Sequence, residues 1–463
     1  MTTLPSDFLK ALAATVDASA LRAGNVTETL DPGFDKANLD ADVVVFPKST
    51  TQVAAIVGLC SEHGVALVPQ GGRTGLAGGA QSRPGQVVID MTRMNRMLDL
   101  DTQGGTVLVE AGVVLSAVQA AAGEHALATG IDLAARDSAT IGGMISTNAG
   151  GIEAFRYGTM RQRVLGMEVV LADGTVLSDL KRVVKANEGY DLKQLLIGAE
   201  GTLGVVTSAV LALVPEDRDA VTALVSCPRA DDALKIFRRL HGTPKGTLLA
   251  CEIMWPTYAR MTAAGLKLDN VVGFAPADDL FLLVEFAASD VQAGQIVLEE
   301  LLADALEAEE ASDAVIAKSG EERRRIWQIR EDSFEADKVL PHGFWYDISV
   351  PHAHMQTYTD DLFSRMAAID PALVVLMFGH LGDGNLHLTI TRGTPMPELH
   401  DAVDHAMFDG LQAIGGSFSA EHGVGLEKRS HLARLGQPEM LDTMRAVKQV
   451  LDPKGIMNPG KVL

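Results

Sequence analysis

The stretch PQGGRTGLAGG, Pro69–Gly79, decides how the first half of this 463-residue chain is read. It follows VALVP (65–69), a short apolar run that predicts a strand. Gly71, Gly72, Gly75, Gly78 and Gly79 then leave the loop's backbone N–H groups uncovered. Successive N–H groups in such a turn form a concave anion site that suits a pyrophosphate. The loop has neither the GK[ST] ending of a P-loop nor GxGxxG spacing. Two further glycine-rich segments, SATIGGMISTNAGG (138–151) and IGAEGTLGVVT (197–207), lie in the same half. Three such loops point to a dinucleotide held in another way.

Around the first loop, strands and helices alternate. DVVVFP (42–47) predicts a buried strand. In STTQVAAIVGLCSEHG (49–64), Val53, Ile56, Val57 and Cys60 fall at helical spacing, behind a Ser/Thr cap and before a stop at Gly64. GQVVIDM (85–91) and TVLVEAG (106–112) read as strands, and VLSAVQAAAGEH (114–125) as a helix. Short strands with short helices predict a mixed α+β domain. After LALVPEDRDAV (211–221) the texture changes. TALVSCP and ADDALKIFRRLHG read as strand then helix and open a second domain. IVLEELLADALEAEEASDA (296–314) reads as a helix with one solvated acidic face.

The composition excludes several classes of function. Lys and Arg number 39 against 60 Asp and Glu, a net charge of −21, which repels phosphate backbones and anionic lipid. Neither nucleic-acid binding nor a membrane span is expected. No secretory signal is read at the start, where Pro5, Asp7 and Asp17 interrupt the apolar residues. Cys60, Cys227 and Cys251 are scattered, which fits a reducing cytoplasm and offers no iron–sulfur cluster.

A second stretch carries chemistry. In FGHLGDGNLHLTI (378–390), Asp383-Gly384 between two β-rich runs predicts a two-residue hairpin turn, with His380 opposite His387. Two imidazoles that close on a rigid ribbon can grip one metal ion, or form a turn with two hydrogen-bonded histidines. Glu421 and His422 follow in SAEHGVG (419–425). Two histidines and a carboxylate leave coordination positions open, as catalytic metal sites do.

Six segments occur in one order: PQGGRTGLAGG, DSATIGGMISTNAGGIEAFRYG, NEGYDLKQLLIGAEGTLGVVT, GHLGDGNLH, SAEHGVG and IMNPGK. Together they resemble the vanillyl-alcohol-oxidase-like flavoproteins. Within these the chain is similar to the FAD-dependent D-2-hydroxy-acid dehydrogenases: D-lactate and D-2-hydroxyglutarate dehydrogenases and the glycolate oxidase flavin subunit. The resemblance runs from about Ala41 to Leu463. It implies an α+β fold with a PCMH-type FAD-binding domain of two subdomains and a cap of antiparallel sheet with helices on one side. The corresponding boundaries are an N-terminal helical segment packing on the FAD domain (1–37), the FAD-binding domain (38–217), the cap (218–425) and a C-terminal return to the FAD domain (426–463).

The resemblance also implies site roles. Gly71, Gly72, Arg73, Thr74, Gly75 and Leu76 would wrap the FAD pyrophosphate. Ser138, Gly142, Gly143, Asn148, Gly150, Gly151 and Gly158 would line the cofactor, with Gly201 and Val206 nearer the adenine and Asn458 returning to the flavin. Relatives that bond FAD covalently through this loop carry a His where this chain has Arg73, so non-covalent FAD is expected. His380, His387 and Glu421 would hold one divalent metal, zinc in preference to manganese. A metal-chelated hydroxy acid would lose its hydroxyl proton to His422 and its C2 hydride to flavin N5, with Arg330 binding its carboxylate. Glutarate-specific relatives bind a distal carboxylate with a Thr, a Lys and an Asn where this chain has Phe334, Trp345 and Thr389. A small or apolar side chain is therefore expected, D-lactate first, with D-2-hydroxyglutarate or glycolate-type activity as the alternative. The electrons would leave to an external acceptor, an electron-transfer flavoprotein or a quinone-linked partner; a homodimer stays open. Two readings of other classes compete: a flavin-free metal hydrolase and a non-catalytic binding protein on a flavin fold. The first leaves the glycine loops unexplained, and the intact His and Glu set argues against the second.

Overall fold

The computed structural model describes residues 4–24, 29–217 and 219–463. The chain divides into two units, one made of the residues up to Glu216 together with Glu421–Leu463, the other of Asp217–Ala420.

Among the described residues the first unit holds a two-stranded ribbon, Leu127–Ala128 with Val214–Pro215, and two larger sheets. In one, Val43–Val45, Gln86–Asp90 and Ala66–Gln70 run parallel, with Leu21–Ala23 antiparallel at the edge. The other is antiparallel, in the order Met97–Asp101, Thr106–Glu110, Val205–Ala212, Val164–Val170, Val176–Asp179. The helix Thr50–His63 forms where its signals place it. The Ser49 hydroxyl accepts the Gln52 N–H, Gly64 closes the helix at φ +64°, and Val53, Ile56, Val57 and Cys60 face the core. The N-terminal segment is only partly helical. Ser6–Thr15 is a helix whose Phe8 and Leu12 are buried in the same core, but Leu21–Ala23 is a strand. Residues 1–3 and 25–28 of the expected 1–37 segment lie outside the described residues.

The chain re-enters this unit at Glu421, not at 426 as expected. The reason is local. The Leu426 N–H donates to the Ala77 carbonyl at 2.9 Å, and the N–H groups of Val424 and Gly425 donate to the Glu200 carboxylate at 2.7 and 2.9 Å. Further on, Met457 bridges to Leu67 and the Asn458 N–H donates to the Leu67 carbonyl.

The second unit is built on a seven-stranded sheet, in the order Asp313–Ile316, Val221–Cys227, Leu280–Ala287, Thr247–Met254, Val374–His380, Asn385–Thr391, Phe344–Ser349, with every pair antiparallel. Helices cover both faces, not one. Pro256–Leu266, Gly320–Glu331 and Phe334–Val339 pack on the face that carries Met254, Phe281 and Leu376. Ala230–Gly242 and Val291–Glu307 contact the same central strands. That cover explains why Val221–Cys227 and Leu280–Ala287 are buried at every position rather than at alternate ones.

The hairpin at 378–390 also differs from the expected one. The strands end at His380 and resume at Asn385, so the loop has four residues, Leu381–Gly384. His380 pairs with Asn385, and Phe378 with His387. The Asp383 carboxylate accepts the Asn385 N–H at 3.1 Å, and the Gly384 N–H donates to the His380 carbonyl at 3.0 Å, which stabilises the longer turn.

Candidate active site

In the first unit the glycine loops wall one cavity of about 300 Å³. Gly71–Leu76, Gly142, Gly143, Gly150, Gly151, Gly201 and Val206 all line it, and so do Glu421 and His422. The loops meet at van der Waals distance. A Cβ on Gly71 would lie 2.0 Å from the Thr140 hydroxyl oxygen, and one on Gly72 would lie 1.8 Å from the Ser138 carbonyl oxygen. Only glycine allows that approach. Arg73 contributes backbone at φ +55°, while its side chain turns into the protein. Its guanidinium pairs with Asp90 and donates to the Gln70 side chain at 2.7 Å.

Four expected cofactor residues do not line the cavity. Ser138 presents its carbonyl to Gly72 and its side chain is exposed. Asn148 closes the helix Ile141–Thr147 at φ +55°, and its Oδ1 accepts from the Thr159 hydroxyl and the Arg161 N–H. Gly158 turns the chain at φ +75°, where a Cβ would meet the Gln162 side chain at 2.6 Å. Asn458 lies behind the wall, its Nδ2 donating to the carbonyls of Gly79 and Glu200 at 3.0 and 2.7 Å.

The residues present fit FAD. A Cβ on Gly75 would meet no protein atom within 4 Å, although Gly75 lines the cavity. Glu200, a lining residue that sequence reading passed over, clamps the loop that carries His422 and Glu421 through Val424 and Gly425. Its carboxyl is raised because burial outweighs those two N–H donors. The Glu421 carboxylate accepts the Gly151 N–H at 3.1 Å, which ties the same loop to the second glycine segment.

Nearby, the Lys461 ammonium donates to the Gln81 carbonyl at 2.6 Å and is pulled down to about 8, by burial first and by Arg83 next, with Glu200 opposing. An unfolded lysine titrates near ~10.4. Between about 8 and ~10.4 the unfolded chain therefore binds the extra proton, and stability rises with pH across that window. The melting temperature of Lys461→Met protein should rise less than wild type between pH 8 and 10. Parallel curves would contradict the lowered value.

In the second unit one sheet face gathers the other expected residues. Pairing sets three rows across it: Glu252, His380 and Asn385; Met254, Phe378, His387 and Asp347; Leu376, Thr389 and Trp345. His380 and His387 are diagonal neighbours with ring centroids 5.4 Å apart at 84°. Arg330, buried on the helix Gly320–Glu331, reaches this face and lies over the Phe378 ring, 4.8 Å from its centroid.

Both histidines have carboxylates behind them. His380 Nδ1 is 2.8 Å from Glu252 Oε1. His387 Nδ1 is 3.7 Å from Asp347 Oδ1, and Asp347 also accepts from the Asn385 side chain and the Ala420 N–H. Glu252 Oε2 accepts from Arg330 Nε at 2.7 Å and pairs with Nη2 at the same distance. Burial pulls the Glu252 carboxyl up, but His380 and Arg330 together pull it further down, so it is held as carboxylate. A carboxylate hydrogen-bonded to the ring is the usual support for a metal-binding histidine; His380 has one in Glu252 and His387 has Asp347 close by, so this half of the donor set fits a divalent ion.

Phe334 and Trp345 do not form a buried pocket. They meet edge to face at 6.1 Å and are 55 % and 51 % exposed. Thr389 is buried directly opposite Trp345. Sequence reading missed Asp337, whose carboxylate lies beside the Thr389 and Trp345 side chains and is raised by burial, with those two groups opposing.

Residues 216–462 match the family described as FAD linked oxidases, C-terminal domain, and residues 41–179 match the FAD binding domain family. The mitochondrial D-2-hydroxyglutarate dehydrogenase of Bos taurus is 36% identical over 425 residues, 91% of this chain and 76% of that protein. The D-2-hydroxyglutarate dehydrogenase of Stutzerimonas stutzeri is 35% identical over 90% of both chains. The chain belongs to the FAD-dependent D-2-hydroxy-acid dehydrogenases. Among solved structures, p-cresol methylhydroxylase shares the fold of this dehydrogenase at a TM-score of 0.76 and 16% identity, over 98% of this chain and 96% of that one. Alkyldihydroxyacetonephosphate synthase does so at 0.73 and 18%, over 99% and 85%. The α+β flavoprotein fold with a cap is thereby shown. No helix among the described residues is long and apolar enough to cross a membrane.

Proposed function

We propose that this dehydrogenase oxidises a D-2-hydroxy acid with a short or apolar side chain, D-lactate first, to the 2-keto acid. Asp337 carries this reading. Thr389 lies one row beyond His387 on the same sheet face, and the Asp337 carboxylate lies beside it. A substrate held at Arg330 and the histidines directs a longer side chain toward that carboxylate. A distal carboxylate there meets like charge. The curated relatives are named for D-2-hydroxyglutarate, and their 34–36% identity makes that acid the second reading.

The chain's own groups divide the work. Arg330 Nε and Nη2 are taken by Glu252, and the Nη1 edge is left to bind the C1 carboxylate. His422, which lines the glycine-loop cavity, accepts the C2 hydroxyl proton, a task that suits an imidazole near neutral pH. Bound non-covalently at that cavity, FAD supplies the acceptor for the C2 hydride. A divalent ion on His380, His387 and Glu421, zinc in preference to manganese, supplies the charge that acidifies the hydroxyl. Chain continuity supports this grouping: Ala420 donates to Asp347, and Glu421 and His422 are the next two residues. The electrons leave to an electron-transfer flavoprotein or a quinone-linked acceptor. A reducing compartment such as the cytoplasm suits three free, buried cysteines.

Anaerobic flavin bleaching and a steady-state panel test the substrate. D-lactate should bleach the flavin, L-lactate should not, and kcat/KM for D-lactate should exceed that for D-2-hydroxyglutarate. Asp337→Asn should raise kcat/KM for D-2-hydroxyglutarate about tenfold, ~1.4 kcal/mol, and leave D-lactate within about twofold. A wild-type preference for D-2-hydroxyglutarate would overturn the reading.

A further inference from the structure

Glu252 joins the two functional groups of the second unit. It stands in LLACEIM (248–254), where every other residue is apolar, and it is fully buried. One oxygen faces His380 Nδ1 at 2.8 Å, and the other takes Arg330 Nε and Nη2, each at 2.7 Å. Burying a carboxylate, a guanidinium and an imidazole together is a poor route to stability. An apolar side chain of similar volume often does as well or better in such a place. The arrangement therefore calls for another explanation, and its geometry supplies one.

A carboxylate only accepts hydrogen bonds. Facing His380 Nδ1, it places the ring proton on that nitrogen and leaves the Nε2 lone pair for a ligand. Either nitrogen of a free imidazole can carry the proton, so this selection is made by Glu252. The same carboxylate fixes the guanidinium plane. With Nε and Nη2 engaged, Arg330 can turn only its Nη1 edge to an incoming carboxylate. Phe378 supports that orientation from below, itself stacked on Tyr258 at 4.2 Å.

We infer that Glu252 is a positioning residue that presents His380 Nε2 to the metal and the Arg330 Nη1 edge to the substrate carboxylate. It couples the two sites through one side chain. This rests on the proposed roles of His380 and Arg330, not on which acid is the substrate. Glutamine at 252 keeps the shape but turns an N–H donor toward either the His380 or the Arg330 N–H. Both sites should suffer together.

The test uses flavin-loaded wild type, Glu252→Gln and Glu252→Asp, with whichever acid of the panel has the highest kcat/KM. Zinc affinity is read by competition with a chromogenic chelator, independently of turnover. Glu252→Gln should weaken zinc about 10- to 100-fold, as loss of a supporting carboxylate does. It should also raise KM about tenfold or more at unchanged flavin content. Glu252→Asp should recover part of the zinc affinity. A variant with a lower melting temperature but wild-type zinc affinity and KM would reduce Glu252 to a structural role and overturn the inference alone. Wild type that takes up no zinc or manganese would overturn the metal reading and the inference with it. Should Glu252→Gln fail to fold, ¹⁵N-histidine NMR of metal-free wild type decides, with His380→Gln giving the assignment. A proton on Nδ1 and a bare Nε2 at His380 are expected; the opposite tautomer overturns the inference.

Discussion

Gly72→Ala protein is expected to leave purification colourless, with FAD affinity lowered at least about 100-fold, ~2.7 kcal/mol. The added Cβ would sit 1.8 Å from the Ser138 carbonyl oxygen and 2.7 Å from its carbon. Both are backbone atoms, so no rotamer change relieves the clash, and the two cavity loops must separate. Gly75→Ala makes the informative contrast. Gly75 lines the same cavity, but a Cβ there would meet no protein atom within 4 Å. Its apoprotein should melt within about 1 °C of wild type, since surface substitutions of this kind cost little. Any loss of FAD affinity in Gly75→Ala then reports contact with the cofactor itself. Flavin-to-protein absorbance ratios and fluorescence titration of the apoproteins measure both. A fully yellow Gly72→Ala enzyme would show that the loops do not need their close approach.

How far the sequence could be read depends on the range of each interaction. The Thr50–His63 helix was legible because cap, periodicity and stop lie within one element, and each appears where its residues place it. The glycine loops were legible as a set, and most of their members line one cavity. Asn148 and Gly158 misled because a positive φ looks the same whether a cofactor or a neighbouring side chain demands it. Here Thr159 and Gln162 make the demand. The hairpin failed in register for a comparable reason. Asp-Gly favours a two-residue turn, but the Asp383 side chain caps a four-residue one. The error was harmless to function because it moved His387 from opposite His380 to opposite Phe378, two residues along the strand. A shift of two keeps the face, whereas a shift of one would have turned one histidine away. Glu252 left a readable trace, a lone charge in an apolar strand, but its partners Arg330 and His380 are 78 and 128 residues away. Asp337 left none, since an acidic residue near the start of a short helix is ordinary.

Chelation is expected to lower kcat/KM of the flavin-loaded enzyme at least about 1000-fold while leaving its visible spectrum unchanged, ~4 kcal/mol of transition-state stabilisation. The two effects separate because only one of the three ligands, Glu421, also lines the glycine-loop cavity. The cavity that fits FAD is walled by the glycine loops of the first unit, whereas His380 and His387 stand on two adjacent strands of the second. Those strands are paired along seven positions, so the rings are held at their 5.4 Å spacing by the sheet rather than by a ligand. Removing an ion from such a site should not unfold it, and activity should return with added zinc or manganese. His387→Ala should match the chelated enzyme in rate and resist rescue by metal, because one imidazole and one carboxylate hold an ion weakly. His380→Ala should do the same and also strand Glu252, which would then balance Arg330 alone, so its melting temperature should fall below that of His387→Ala. Metal content by mass spectrometry, the flavin spectrum and kcat/KM on the same samples decide the matter. Full activity in metal-free protein would return both histidines to direct hydrogen bonding with the substrate. Activity lost together with the flavin would instead mean that the ion supports the fold rather than the reaction.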